Sequence, residues 1–539
     1  MTEMNAKRTN QPSTTTRRDL LKNAAVAGAG AGMVSLATPM SRGAAARQAT
    51  PVTGEDPVPG GTLNVGVAAE LKVLDPHITT LAAYATTLRY TIFETLVEAD
   101  DEGNYIPALA DSWEFAEDGM SLTLNLVQGA TFHNGKPFTA EDVAFTVARI
   151  KNPDLASQFA PQVENVTAVE TPDEQTVVLQ FGAPTPAILD YLLNVQIVTE
   201  QDIDAIGERP VGTGPFEFVE WMLNDHITVR KFAGYRQEGL PYLDEVVFRP
   251  IIDGDTRLTN LQAGSLDLVE QPAPKDAARI EGDANLQLIV TPPTSKYDNV
   301  QINTQNPLMA EAKVRQAMSF AFDRESYVRD ILYGFGTPAV CPFPASNWAY
   351  DAAICDPYLV FDMERAAQLL EEAGHPGGQG LEGIEILSPL GYPELKAGAV
   401  LLQANLAALG ITAAVTELEI AAWVDRIATA PDYVMTTDTY GYGDVDPSTF
   451  FTRDNLNPDT NIHQFDNEEY ARLVQEGAST IDEAARKEIY AQVQQILMDE
   501  MPGYLVAHKQ DLFAAKRSVQ GFNPGPLIRH HYEKTWIVS

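Results

Sequence analysis

The sequence predicts an exported α/β protein of several domains. Three observations carry that expectation: a three-part leader at the N-terminus, short β-branched runs interleaved with helical stripes, and 45% apolar content in 539 residues, ample for a large core.

The leader comes first. Thr16-Arg17-Arg18-Asp19-Leu20-Leu21-Lys22 is a paired-arginine block, followed by an Ala/Gly-rich apolar stretch from Ala24 to Ala37 and by small residues at Ala44, Ala45 and Ala46. Basic, then apolar, then small is the order of a secretory signal, and the adjacent arginines make it a twin-arginine signal over residues 1–46. The stretch is too short and too rich in glycine for a membrane span. Gly28, Gly30 and Gly32 follow no strand and lie inside the signal, so they are no dinucleotide loop. Residues 47–59, small and proline-rich, read as a flexible linker. No cysteine lies near the cleavage region, so the expected product is periplasmic or cell-surface associated without a lipid anchor.

The net charge is -37, and removal of residues 1–46, with six basic and two acidic residues, leaves -41. Such a chain lacks the cationic footprint of a duplex nucleic-acid binder and is repelled by an anionic membrane. The two cysteines, Cys341 and Cys355, read as a disulfide in an exported protein, with two buried free thiols as the alternative. A loop of that size contributes about 3 kcal/mol in the chain-entropy model.

Strand signals follow in order: alternating Leu63, Val65 and Val67, then Leu122, Leu124 and Leu126, then TVVLQF (176–181) and EVVFRPII (245–252). Asp118-Gly119 is a hairpin turn, with Trp113 before it as a core anchor. Thr139 with Asp142 is a capping box opening a helix. Helical stripes are Val314, Ala317, Met318 and Ala321; Ala366, Leu369, Leu370 and Ala373 after Asp362 as cap; Leu395, Ala399, Leu402, Leu406 and Leu409 up to Gly410; and Ile489, Val493, Ile496 and Leu497 up to Pro502. These stripes are core faces. The order of strands in a sheet is not readable from them.

Several segments together resemble the family 5 extracellular solute-binding proteins, the peptide, nickel and oligosaccharide receptors of ABC importers. They are GGTLNVGV (60–67) with LDPH (74–77), the block 92–150 from IFETLVEAD through LADSW and FHNGKPFTAEDV, VGTGPF (211–216), VRQAMSFAFDRE (314–325), and YAQVQQILMDEMP (490–502). The resemblance implies a two-lobed periplasmic-binding-protein-like clamshell of type II, cluster C. Lobe I would comprise 60–94, 210–300 and 505–539, with an inserted subdomain at 95–209. Lobe II would span 301–504, with a hinge near 300 and 504. It also implies a monomer that takes a small-molecule ligand, a peptide first and an oligosaccharide or metal chelate as alternatives, to an ABC permease in the membrane. No catalytic residue, cofactor or metal is implied. His133-Asn134-Gly135 reads as a turn, and Gly212-Thr213-Gly214-Pro215, which lacks the Lys-Ser/Thr of a phosphate loop, as a structural crossover.

The richest candidate ligand segment is Thr439–Pro447, where glycines permit close approach, Tyr440 and Tyr442 offer flat faces, and aspartates can accept from a cation. Peptide-binding relatives place an aspartate for the ligand's α-amino group here. Asp444 is the nearest match, offset by one position, and Asp446 the fallback. The arginine that holds a short peptide's carboxylate has only Lys396 as a substitute, without bidentate geometry. Tyr84, Tyr297, Asn299 and Trp423 complete the candidates, with core packing as the competing reading for each. A secreted hydrolase is the remote alternative. HExxH, GxSxG and Walker patterns are absent, and 74 acidic residues make chance carboxylate pairs uninformative.

Overall fold

A computed structural model describes residues 56–78, 87–100, 103–293, 296–441, 445–452, 456–525 and 530–538. Its fold is built on three principal sheets. The first has seven strands in the order Leu286–Val290, Leu512–Lys516, Leu268–Glu270, Thr62–Val67, Glu245–Pro250, His226–Lys231 and Phe216–Met222. Thr62–Val67 sits inside it, parallel to Glu245–Pro250 and to Leu268–Glu270. Its alternating Leu63, Val65 and Val67 are all buried, as a central strand requires.

The second sheet has six strands in the order Gly336–Pro338, Gly503–Lys509, Tyr297–Ile302, Met435–Tyr440, Ile384–Pro389 and Ala413–Leu418. Ile384–Pro389 and Ala413–Leu418 are parallel, joined by the helix Pro393–Ala408. Leu395, Ala399, Leu402 and Leu406 form its buried stripe. Helices Ala312–Phe320, Met363–Glu372 and Glu483–Glu500 complete this lobe. Asp362 caps the second of these, accepting from the Arg365 N–H at 2.9 Å.

The third sheet is antiparallel, in the order Ala110–Phe115, Ser121–Leu126, Thr176–Phe181 and Val166–Asp173, and carries helices Ala140–Lys151 and Ile188–Asn194. Thr139 and Asp142 form the expected capping box. Trp113 packs only partly against this core. The chain is thus an α/β two-lobed clamshell with a third, smaller sheet inserted in the first lobe's sequence.

The chain passes between the first and second sheets twice. One passage lies between Val290 and Tyr297 and the other between Lys509 and Leu512, since Tyr297–Ile302 and Gly503–Lys509 both belong to the second sheet's ladder. The passages are bonded to each other. The Thr291 N–H donates to the Asp511 carbonyl at 3.0 Å, the Asp511 N–H donates to Thr291 Oγ1 at 2.8 Å, and Lys296 pairs with the Asp511 carboxylate at 2.7 Å.

Gly212 and Gly214 show why that loop needs glycine. A Cβ on Gly212 would lie 2.0 Å from the Ile92 carbonyl oxygen, and one on Gly214 would lie 2.3 Å from that of Thr91. His133 locks the same loop. Its Nε2–H donates to the Gly214 carbonyl at 3.0 Å, and Nδ1 accepts from the Gly212 N–H at 3.3 Å. That pattern requires a neutral ring, and burial lowers the imidazole pKa to about 4 from 6.5. Cys341 and Cys355, both fully buried, are joined by a disulfide with 5.9 Å between Cα atoms.

Two outcomes follow for stability. Between pH 6.5 and about 4 the unfolded chain binds a proton at His133 that the folded chain refuses. Stability therefore falls as pH drops through that window, by about 3 kcal/mol from this residue, and levels off below it. Urea titrations from pH 7 to 4 should show a shallower fall for His133→Gln than for the wild type; an identical slope would discard the assignment. Replacing both cysteines by serine should cost about 3 kcal/mol, read as a lower denaturation midpoint at unchanged m-value.

Candidate functional site

The strand Tyr297–Ile302 begins just beyond the first passage and pairs antiparallel with Met435–Tyr440. Tyr297 lies opposite Tyr440, Asn299 opposite Asp438, and Gln301 opposite Thr436. Side chains alternate along a strand, so these six project from one face of the second sheet. The Tyr297 and Tyr440 rings stack with centroids 6.2 Å apart. Trp423, on the helix Ile420–Val424, reaches the same face and donates its Nε1–H to Thr436 Oγ1 at 2.9 Å. Four predicted residues, Tyr297, Asn299, Tyr440 and Trp423, thus share one surface.

That surface is polar and buried. Asn299, Gln301 and Asp438 are 6%, 0% and 4% exposed. Gln301 Nε2 donates to Asp438 Oδ2 at 2.7 Å, which leaves the Gln301 carbonyl facing elsewhere. Gln301 Oε1 and Asn299 Oδ1 are buried acceptors without a donor. A buried acceptor in that state costs about 1–3 kcal/mol until water or another donor meets it, and here two lie on alternate residues of one face. Gln301 and Asp438 were missed in the sequence; polar residues at every second position of YDNVQIN were the available signal.

The opposite face is saturated. Asp298 accepts from the Tyr327 hydroxyl at 2.8 Å and pairs with Lys509 at 2.7 Å. Burial pulls the Lys509 ammonium down, but Asp298 and Glu394 more than reverse it, leaving its pKa above the usual lysine value. The helix Pro393–Ala408 covers this side, with Gly398 against the Tyr327 ring.

Two of the candidate residues are engaged by partners within the protein. Lys396 belongs to that covering helix, and its ammonium is spent on Glu417 at 2.7 Å, so it does not join Asn299 and Tyr440. Its half-exposed side chain lines a separate cavity of about 740 Å³ with Ser326, Asp330 and Val400. Asp446 is also committed. It accepts from Arg486 Nη1 at 2.8 Å and from Nη2, and caps the following helix through the Ser448 N–H at 2.9 Å. Arg486 is itself clamped between Trp348 and Tyr490. A carboxylate so engaged holds Asp446 in place, with its charge already met by Arg486. Trp423 and Tyr297 are buried, 8% and 1% exposed, and contribute packing more than open faces. Tyr84, Tyr442 and Asp444 lie outside the described residues.

Among the described residues no group of three or more His, Cys, Asp or Glu side chains is disposed to hold a metal ion, and no helix is long and apolar enough to cross a membrane.

Comparison with known proteins gives the same fold a context. Residues 104–461 match the family model described as bacterial extracellular solute-binding proteins, family 5 Middle. Heme-binding protein A of Haemophilus influenzae is 30% identical over 478 residues, spanning 81% of this chain and 85% of its own. The dipeptide-binding protein of Escherichia coli is 26% identical over 470 residues, spanning 80% and 86%. The solved structure of the periplasmic binding protein AgaA from A. tumefaciens R10, in complex with agropinic acid, is 29% identical with a TM-score of 0.70, covering 89% of this chain and 99% of that one. A family model that matches residues 104–461, together with a relative 30% identical over 81% of this chain, places the chain in the bacterial extracellular solute-binding proteins, family 5.

Proposed function

We propose that this chain is an exported, monomeric receptor that captures a peptide longer than a dipeptide between two lobes and hands it to an ABC permease. The lobes are the bodies built on the seven-stranded and six-stranded sheets, the first carrying the four-stranded subdomain, and the twin passages at 291–296 and 510–511 are the hinge. The leader, with Arg17 and Arg18, directs export by the twin-arginine route.

The observation that carries the proposal is the row of buried polar side chains beside the hinge, with open acceptors on Asn299 and Gln301. Peptide N–H groups are donors spaced along an extended backbone, and two orphan acceptors on alternate residues of one strand suit them. The dipeptide-binding relative supports a peptide as ligand. The commitment of Lys396 to Glu417 favours a longer one, because no cation is left at that position to fix a short peptide's carboxylate. An oligosaccharide is less well served. Sugar stacking needs open aromatic faces, and Tyr297 and Trp423 are buried.

Mature protein screened against oligopeptides should melt at higher temperature with its ligand, since binding confined to the folded state at a hundredfold excess over Kd adds about 2.7 kcal/mol. A screen of peptides, oligosaccharides and opines in which only non-peptides shift the melt would reassign the ligand. Asn299→Ala should weaken peptide binding about tenfold while leaving the ligand-free melt within about 1 kcal/mol, because it removes an acceptor with no internal partner. A large loss of stability at unchanged affinity would make Asn299 a packing residue. Asp444→Ala should weaken peptides with a free α-amino group and spare their N-acetylated forms; equal loss for both would remove Asp444 from amine recognition.

A further inference from the structure

Val445 and Asp446, which lie beyond the proposed ligand face in the chain, are held from both sides of the molecule. Their loop follows the strand Met435–Tyr440, and its described part resumes at Val445 and Asp446. On the second lobe's side Asn347 Nδ2 donates to the Val445 carbonyl at 3.2 Å, and Arg486 grips the Asp446 carboxylate. On the other side stands Asp190, from the inserted subdomain. Its Oδ1 accepts the Val445 N–H at 2.8 Å, and its Oδ2 accepts the Asp446 N–H at 2.8 Å. One carboxylate thus spans two consecutive backbone donors more than two hundred residues away, an arrangement suited to an anion.

Asp190 is held where it can do this. It lies on the helix Ile188–Asn194, every residue of which is buried. Arg89 ties the end of that helix to the first lobe, donating to the Leu193 carbonyl at 2.6 Å and to Asn194 Oδ1 at 2.8 Å. The Tyr105 hydroxyl donates to Asp190 Oδ1 at 2.8 Å, and Ala99, Leu193 and Val445 form a small apolar cluster beside it. A second contact joins the same two bodies: the Asp118-Gly119 turn sits against Ile481, which a Cβ on Gly119 would meet at 2.5 Å.

We propose that Asp190 is a positioning residue for ligand capture: it latches the inserted subdomain to the ligand loop when the lobes are together and must let go when they part. The inference rests on the reading of that loop as part of the capture machinery. The latch and the ligand both favour the closed arrangement, so each strengthens the other. Opening exchanges two charge-assisted bonds in a dry contact for water, so the latch acts on release rather than on encounter. Its place between subdomain and loop makes the insertion a participant in closure and not only a cover on the first lobe.

Asp190→Asn tests this without changing shape, because an amide must turn its NH₂ toward one of the two N–H donors. Two measurements are made on the full mature chain: the dissociation rate of an oligopeptide that binds the wild type, and the distance between labels placed on the exposed residues Glu117 and Glu483 without ligand. The expected result is release about tenfold faster, little change in association rate, and a label distribution shifted to longer distances, with partial recovery in Asp190→Glu. Unchanged release and an unchanged distribution would overturn the proposal, as would a lower melting temperature with neither of these altered. Should the wild type bind no peptide, the failure falls on the ligand assignment, and the label distribution alone decides the latch. Should Asp190→Asn not fold, Val445→Pro, which deletes one of the two donors, replaces it under the same criteria.

Discussion

The two passages between the sheets are hydrogen-bonded to each other, and the architecture depends on that pairing. Because Thr291 and Asp511 exchange bonds across the gap, the two chain segments move as one strap. A single strap would leave rotation free in several directions. Two joined side by side restrict it to bending about an axis across both, which is the motion a clamshell uses. The same pairing sets where the proposed ligand face lies, beside the two passages. Tyr297 is the first residue of its strand beyond the strap, and alternation then delivers Asn299 and Gln301 to the same side. The residues with open acceptors therefore sit where the lobes are always nearest.

The molecule uses its acidic side chains in three distinct ways, which the net charge does not reveal. Asp298 is neutralised by Lys509 and a tyrosine hydroxyl beneath a covering helix and stiffens the sheet. Asp446 is neutralised by Arg486 and fixes the loop. Asp190 accepts from two backbone N–H groups and from the Tyr105 hydroxyl. The first two lie within the second lobe. Only the third spans two bodies, and backbone donors suit that role, since a lysine or arginine partner left exposed on opening would find other anions on so acidic a surface.

What was legible in the sequence was local. The alternation in Thr62–Val67, the capping box at Thr139 and Asp142, the cap at Asp362 and the crossover at Gly212–Pro215 depend on residues a few positions apart, and the chain displays them directly. The family resemblance then supplied the clamshell. What was not legible depended on partners brought in from afar. Asp446 looked free because Arg486 lies forty positions on. Lys396 looked available because Glu417 is on the next strand. Burial has no signature in a single residue: Trp423 reads equally as a ligand contact or as core packing until the helix that carries it is seen set against Thr436. Gln301 escaped for the converse reason, since an amide in a strand reads as surface until every neighbour is apolar or bonded.

These far contacts also decide what kind of binder the fold makes. The face carries Asp438, bonded to the Gln301 amide, and the buried rings of Tyr297 and Trp423, so it offers little open ring to stack upon. It offers amide groups, at strand spacing, already desolvated. Their desolvation was met on folding, so a guest that brings complementary N–H groups gains the bonds without that cost and one that lacks them gains little. On the proposed assignment, selectivity would come from the penalty on guests that leave Asn299 and Gln301 unpaired, and the proposed latch at Asp190 would convert that modest discrimination into retention, because only a guest compatible with full closure lets both backbone donors reach the carboxylate.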